Sequence, residues 1–293
     1  MKLCFIGFGE AASEMAGGLK KEGLSEIYAY DVMQNDERFG SAIHERVEKT
    51  GITLLDSMEA LAEIADFIFT IVPPNCSVDA IKNVAPKLKK GTYYTDLTAS
   101  TPDAKKEMAR IAKDAGIIFT DGAMLGALLV YQHKVPILVS GEGAKHVKSV
   151  MSPYNMNISE AGSNAGDASA IKLIRSIYMK GTASLVIEML QAAEHFGVEN
   201  QVIPSLAETF DSKTFIETMG RLATGTAIHA ARRGAELTGS LKMLEDANLD
   251  ASMTRAAYQK HMLIAQANVR ERLGGKAPKD WREAIRLISE PEK

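Results

Sequence analysis

"FIGFGEAA" (residues 5–12) decides the fold: a β-branched and aromatic run ends in Gly7-x-Gly9-x-x-Ala12, and "EAASEMAGGLKKEG" (10–23) continues with helical period. Gly7 permits a tight turn, Gly9 lets backbone N–H groups approach an anion, and Ala12 lets the helix pack closely on the strand. Phe8, Glu10 and Ala11 complete the loop, and the helix start stabilises a pyrophosphate. A second strand, "EIYAYD" (26–31), ends at Asp31, where a carboxylate accepts hydrogen bonds from a ribose 2′-hydroxyl. The expected ligand is a dinucleotide. NAD is favoured over NADP because Asp31 repels a 2′-phosphate, and Glu10, beside the phosphate site, has to face solvent.

The alternation continues outward. "ADFIFTIVPP" (65–74), "TYYTDLTA" (92–99), "GIIFTDGAM" (116–124) and "VPILVSG" (135–141) read as further strands, and "SVDAIKNVAPKL" (77–88) as a helix. Buried strands alternating with helices predict a parallel sheet covered on both faces. Val72 and Pro73, with Pro74, close one strand and shape the adenosine or ribose side. Beyond about residue 163 the strand signal stops. "AGDASAIKLIRSIYMKGTASLVIEMLQAAEHFG" (165–197) is one long helical pattern, followed by helices at about 199–209, 212–238, 239–247, 252–273 and 279–288. The expectation is an α/β Rossmann-type domain over 1–162 and an all-helical substrate and dimerisation domain over 163–293. The long helix crosses the boundary, so its first turns can line a cleft.

The bulk numbers exclude several classes. Of 293 residues, 46% are apolar and 24% charged, which is ordinary globular composition. The net charge of −3, with both signs mixed along the chain, argues against a nucleic-acid partner. The basic "KKEMARIAK" (105–113) has the spacing of a solvated helix face. The two cysteines, Cys4 and Cys76, have no partner at metal spacing, so neither a zinc site nor a disulfide framework is expected. No signal-like segment and no apolar run of spanning length is present; no membrane partner and a cytoplasmic location are expected.

Four stretches make the chain resemble the β-hydroxyacid dehydrogenase family, relatives of 6-phosphogluconate dehydrogenase, and the C-terminal half, with "HAARRGAE" (229–236), resembles a poorly characterised branch of it. "IGFGEAA" resembles the family's cofactor loop, and "TDLTASTP" (95–102) its Asp-x-Ser-Thr-x-x-Pro segment beside the nicotinamide. "FTDGAMLGA" (119–127) stands where the family grips a substrate carboxylate with Asp-Ala-Pro-Val-Ser-Gly-Gly. "GDASAIKLIRS" (166–176) resembles the entry to the helix with the catalytic lysine, usually Lys-x-x-x-Asn. Two positions depart: Leu125 replaces the substrate-binding Ser, leaving Gly126 and its backbone N–H as the surviving match, and Ser176 replaces the Asn; Gly122 of the same segment is also expected at the substrate.

The resemblance implies a small anionic substrate, a homodimer or higher oligomer, and Lys172 as general acid/base. At 100° per residue, Ser176 lies about 40° from Lys172, so the two share a face. A lysine in a partly dehydrated cleft suits proton transfer; the plainer alternative is a snorkelling lysine on a core helix. Arg175 either pairs with the substrate's anionic end or bridges to an acid, and Lys180 falls to support. Thr98 and Ser100, after a strand's carboxyl end, either contact nicotinamide and substrate or cap the turn ahead of Pro102. In "HAARR" (229–233), His229 and Arg233 are i,i+4; Arg233 either holds an anionic substrate or belongs to a solvated face pairing with Glu236. His195 reads as a cap near the long helix's end. The expected function is NAD-dependent interconversion of a hydroxy acid with its oxo acid or semialdehyde. The rivals are C=N reduction in an imine reductase-like enzyme and a dinucleotide-binding regulatory protein without turnover.

Overall fold

Strands that are apolar at every position have to be covered on both faces, and the first half of the chain is built around several of them. The computed structural model describes residues 1–290. Its strands are β1 (Leu3–Ile6), β2 (Ile27–Tyr30), β3 (Thr53–Leu54), β4 (Phe67–Thr70), β5 (Tyr93–Asp96), β6 (Ile118–Met124), β7 (Ile137–Ser140) and β8 (Ile158–Gly162). They form one sheet in the order β3-β2-β1-β4-β5-β6-β7-β8. Helices α1 (Glu10–Lys21), α2 (Gly40–Thr50), α3 (Met58–Ile64), α4 (Ser77–Val84), α5 (Pro102–Ala115), α6 (Leu128–Tyr131) and α7 (Ala144–Met151) connect them.

Alternation along each strand splits the core. Leu3, Phe5, Phe67 and Phe69 point to one face and meet Met15 and Leu19 of α1. Cys4, Ile6, Ile68 and Tyr94 point to the other and meet Ile81 of α4 and Met108 of α5. Burial pushes the Cys4 thiol up to about 12, so it is an inert core group.

The sheet departs from the all-parallel expectation at one pair. β7 runs antiparallel to β6, because the connection over residues 125–136 carries only the single turn of α6 and a short 3-10 turn at Gln132–Lys134, and is short for a crossover. β3 and β8 give no strand signal in the sequence. β3 has two residues, and β8 is mostly exposed, so neither presents an apolar run. The same short connection packs tightly on α1, where the buried ring of His133 occupies the place of the missing side chain of Gly18. A Cβ on Gly18 would lie 2.0 Å from His133 Nδ1.

Helices α8 (Asp167–Phe196), α9 (Glu199–Asp211), α10 (Phe215–Asp246), α11 (Ser252–Ala265), α12 (Val269–Arg272) and α13 (Trp281–Ser289) complete the chain. It packs as two units, Met1–Ile177 and Tyr178 onward. The division falls inside α8, past the 162/163 boundary read from the sequence, because the first turns of α8 are bonded to the sheet.

The helical unit has two small cores, one around Ala227, Val269 and Ala284 and one around Leu241, Leu244 and Ala251. Glu188 of α8 accepts the N–H groups of Met253 and Thr254 at 2.7 and 2.8 Å and so caps α11, whose own cap position is Ala251. The helix break expected between 238 and 239 is absent. α10 instead leaves helical geometry at His229, with φ −119° and ψ 15°. The expected 252–273 helix breaks at Asn268, which takes a left-handed φ of 48°. Among the described residues no helix is long and apolar enough to cross a membrane.

Candidate active site

The carboxyl edge of a parallel sheet collects ligand sites where the strand order reverses, here between β1 and β4. Gly7 makes the turn out of β1 at φ +83°, and a Cβ there would sit 2.3 Å from the Ile71 carbonyl oxygen. Gly9 is the cap residue of α1, with no side-chain cap, and a Cβ on it would meet only open space. The first-turn N–H groups of Glu10, Ala11 and Ala12 have no intrahelical acceptor. Glu10 is exposed and Ala12 fully buried, as the motif requires. Phe8 is corrected: its side chain lies wholly in the core and its N–H donates to Asp31 Oδ2 at 2.7 Å, so it shapes the loop without facing a ligand.

Asp31 stands at the end of β2 and is half-buried. Its Oδ1 accepts the Met33 N–H at 2.8 Å, which locks the carboxylate against the glycine turn. Each oxygen keeps a lone pair for a ribose hydroxyl. The open space over Gly9, the unpaired helix N–H groups and a fixed carboxylate together fit a dinucleotide.

Val72 and Pro73 follow β4 on this edge. The Val72 N–H donates to Thr98 Oγ1 at 3.2 Å, and the Ser100 hydroxyl donates to Ser77 Oγ at 2.9 Å. Thr98 and Ser100 are therefore where the sequence places them, but both are buried and their hydroxyls hold neighbouring turns together. Neither caps α5; Thr101 does, accepting the Ala104 N–H.

The strongest electrostatic feature lies where the sequence reading expects a solvated helix face. Lys105, fully buried, reaches from α5 to Asp96 Oδ2 at 2.6 Å and Asp121 Oδ1 at 3.2 Å. It also donates to the Asp96 carbonyl at 2.8 Å. Burial pushes the Asp96 carboxyl pKa up, against the pull of the Lys105 ammonium and of Thr98, whose hydroxyl and N–H face it. Asp96 Oδ1 itself makes no hydrogen bond of good geometry. Gly122, expected at the substrate, is instead buried inside β6, where a Cβ would lie 2.5 Å from Leu97 Cδ2. Gly126 is exposed beyond the strand, next to Leu125, whose N–H goes to the Pro136 carbonyl. Leu129, Val130 and Tyr131 follow, all exposed.

The start of α8 is bonded to this cluster through Ser169 and Gly166. One turn further, Lys172 and Ser176 are both half-buried at i,i+4 on one face. Arg175 and Lys180 are exposed. In the helical unit the kink at His229 removes the regular i,i+4 relation with Arg233. The Arg233 guanidinium folds back to Thr226 Oγ1 at 2.6 Å, and Arg232 pairs with Glu236. Arg233 is half-buried and rests on Thr226 of its own helix. His195 is exposed in the last turn of α8. Among the described residues no cluster of side chains could hold a metal ion.

Comparison with known proteins agrees with this geometry. Residues 2–162 match the family described as the NAD binding domain of 6-phosphogluconate dehydrogenase, and residues 193–264 match a domain of unknown function. The chain belongs to that NAD-binding family. It is similar to the conserved hypothetical protein from Sinorhizobium meliloti 1021, with 31% identity, TM-score 0.64, and 99% of this chain and 96% of that one covered. It is 24% identical to 2-(hydroxymethyl)glutarate dehydrogenase from Eubacterium barkeri over 70% of this chain and 68% of that protein. An imine reductase variant from Myxococcus stipitatus, solved with NAD+, shares the fold at 19% identity and TM-score 0.73, with 99% of both chains covered.

Replacing Lys105 by Met strands two carboxylates without a counter-charge. The expected loss is about 3–5 kcal/mol of stability, read from urea unfolding. A variant as stable as the parent would show that the cluster does not hold this half together.

Proposed function

We propose that the protein is an NAD-dependent oxidoreductase that interconverts a small anionic hydroxy acid with its oxo acid or semialdehyde. The observation that carries the reading is a dinucleotide turn and a half-buried lysine, Lys172, on a helix bonded to the same sheet edge. The cofactor, when bound, supplies the hydride acceptor for oxidation and the donor for reduction. Lys172, acting as a neutral amine, takes the substrate hydroxyl proton as the hydride leaves, and returns it in the reverse direction. Ser176, one turn on, hydrogen-bonds to the substrate oxygen or to the lysine. Gly126, exposed beyond β6, offers its N–H to the carboxylate, and Arg175, exposed beside Lys172, offers a cation. Asp31 selects NAD by accepting from the ribose hydroxyls and repelling a 2′-phosphate.

A second reading, reduction of a C=N bond, is favoured by one observation. Leu125 stands where the resemblance places a carboxylate-gripping Ser, and exposed Leu129 and Val130 follow it, so this side suits a less polar substrate. The helical unit also points to a second copy of the chain as partner. Leu185, Val186, Ile187, Ile203 and Phe210 are exposed along α8 and α9, beside an apolar groove of about 500 Å³. Exposed apolar side chains grouped beside such a groove support this reading.

Four measurements test these readings. NADH oxidation against panels of oxo acids, semialdehydes and cyclic imines separates C=O from C=N reduction. Lys172→Ala should then lower kcat by about two to four orders of magnitude while NADH binding persists; retained turnover would remove Lys172 as acid/base. Asp31→Ser should shift preference toward NADP by about tenfold or more, and unchanged selectivity would end that role. Light scattering should give at least twice the chain mass, and a monomer at micromolar concentration would refute the shared face.

A further inference from the structure

We propose that Asp121 is a positioning residue: with Lys105 and Asp96 it fixes the first turn of α8, and thereby the place of Lys172, against the carboxyl edge of the sheet. The inference rests on the reading of Lys172 as acid/base and adds what holds it in register. Strand pairing sets Thr70 beside Asp96, Asp96 beside Asp121, and Asp121 beside Ser140. All four are without exposed surface, so a polar seam crosses four strands on one line.

The seam ends on α8. Asp121 Oδ1 accepts the Ser169 hydroxyl at 2.7 Å, and its Oδ2 accepts the N–H groups of Ser169 and Gly166 at 3.0 and 3.1 Å. The Ser140 hydroxyl donates to Asp121 and itself accepts the Ala168 N–H at 3.0 Å. The N–H groups that a helix start leaves unpaired are thus taken by the sheet. A cap from the helix's own N-terminal residue would close the turn on itself, whereas these bonds fix the turn to β6 and β7.

Charge makes the tether stiff, since hydrogen bonds to an ionised acceptor are shorter and about twice as strong as neutral ones. Lys105 pairs with Asp121 at 3.2 Å in a fully buried site and, through Asp96, joins it to Thr98, which holds the Val72 turn beside the cofactor loop. The two ends of the seam are therefore the two sides of the proposed reaction. Lys172 lies at i+3 from Ser169, so loosening the first turn displaces its amine directly. A displacement of about 1 Å at a reacting group costs on the order of 100-fold in rate.

Ser169→Ala and Asp121→Asn test the tether. Ser169→Ala removes one bond and leaves the Lys105 pair intact, which guards against a variant that fails to fold. Amide hydrogen exchange over residues 166–172 should accelerate by about tenfold or more in both variants, while exchange in α1 and the Kd for NADH stay within about twofold of the parent. On a substrate from the panel, kcat should fall by about tenfold or more with the cofactor KM unchanged. The acetylation rate of Lys172 by acetic anhydride, read by mass spectrometry, should change without any substrate present. Unchanged exchange over 166–172 overturns the tether. Faster exchange with unaltered Lys172 acetylation and unaltered kcat overturns the positioning role. If the parent turns over nothing on the panel, the oxidoreductase reading fails alone, and exchange with acetylation still decides the tether.

Discussion

A lysine with no exposed surface between two buried carboxylates is the constraint on which the sheet-bearing half depends. Taking three charges out of water is unfavourable unless each is paired and hydrogen-bonded, and here Lys105 meets both Asp96 and Asp121 within 3.2 Å. The cluster joins α5, β5 and β6, and its outer bonds reach α8. An apolar replacement of similar volume would pack the same space, but it would offer nothing to the N–H groups of Gly166 and Ser169. Fold and candidate site therefore share one set of interactions. The residue that neutralises the core also sets where the proposed acid/base stands.

That cluster was hidden in the sequence by a rule that works almost everywhere. A basic run on a helix is usually a solvated face, and Lys106, Arg110 and Lys113 of the same helix are indeed outward. Lys105, however, stands at i−3 from Met108 and i−7 from Ala112, both buried, and so occupies the apolar stripe itself. The second signal was the pair of acids in strands whose neighbours are all buried: Asp96 and Asp121 need a counter-charge from somewhere. Read together, the two signals point to the pairing. The glycine turn, Asp31 and the alternation of the first strands with helices were legible because each rests on local geometry that a few residue types can satisfy.

The less legible parts are those decided by distant partners. Thr98 and Ser100 sit on the expected edge, but whether a hydroxyl faces a ligand or a neighbouring turn depends on Val72 and Ser77. Gly122 and Gly126 look alike in sequence; one lies under Leu97 and the other in solvent. His229 and Arg233 keep helical spacing on paper, yet α10 leaves helical geometry at His229. In each case the missed information is tertiary, which local pattern does not carry.

The contact between Gly18 and His133 bears on how this sequence can drift. The imidazole stands in the volume that any side chain at position 18 would need, and both belong to the packing of α1 against the β6–β7 connection. A substitution at either site alone leaves a clash or a void. The pair is then open to change only together, with a smaller residue at 133 admitting a larger one at 18. Relatives in which this connection is longer, or returns by a different route, are free of that bargain and can carry an ordinary helix residue where this chain has glycine.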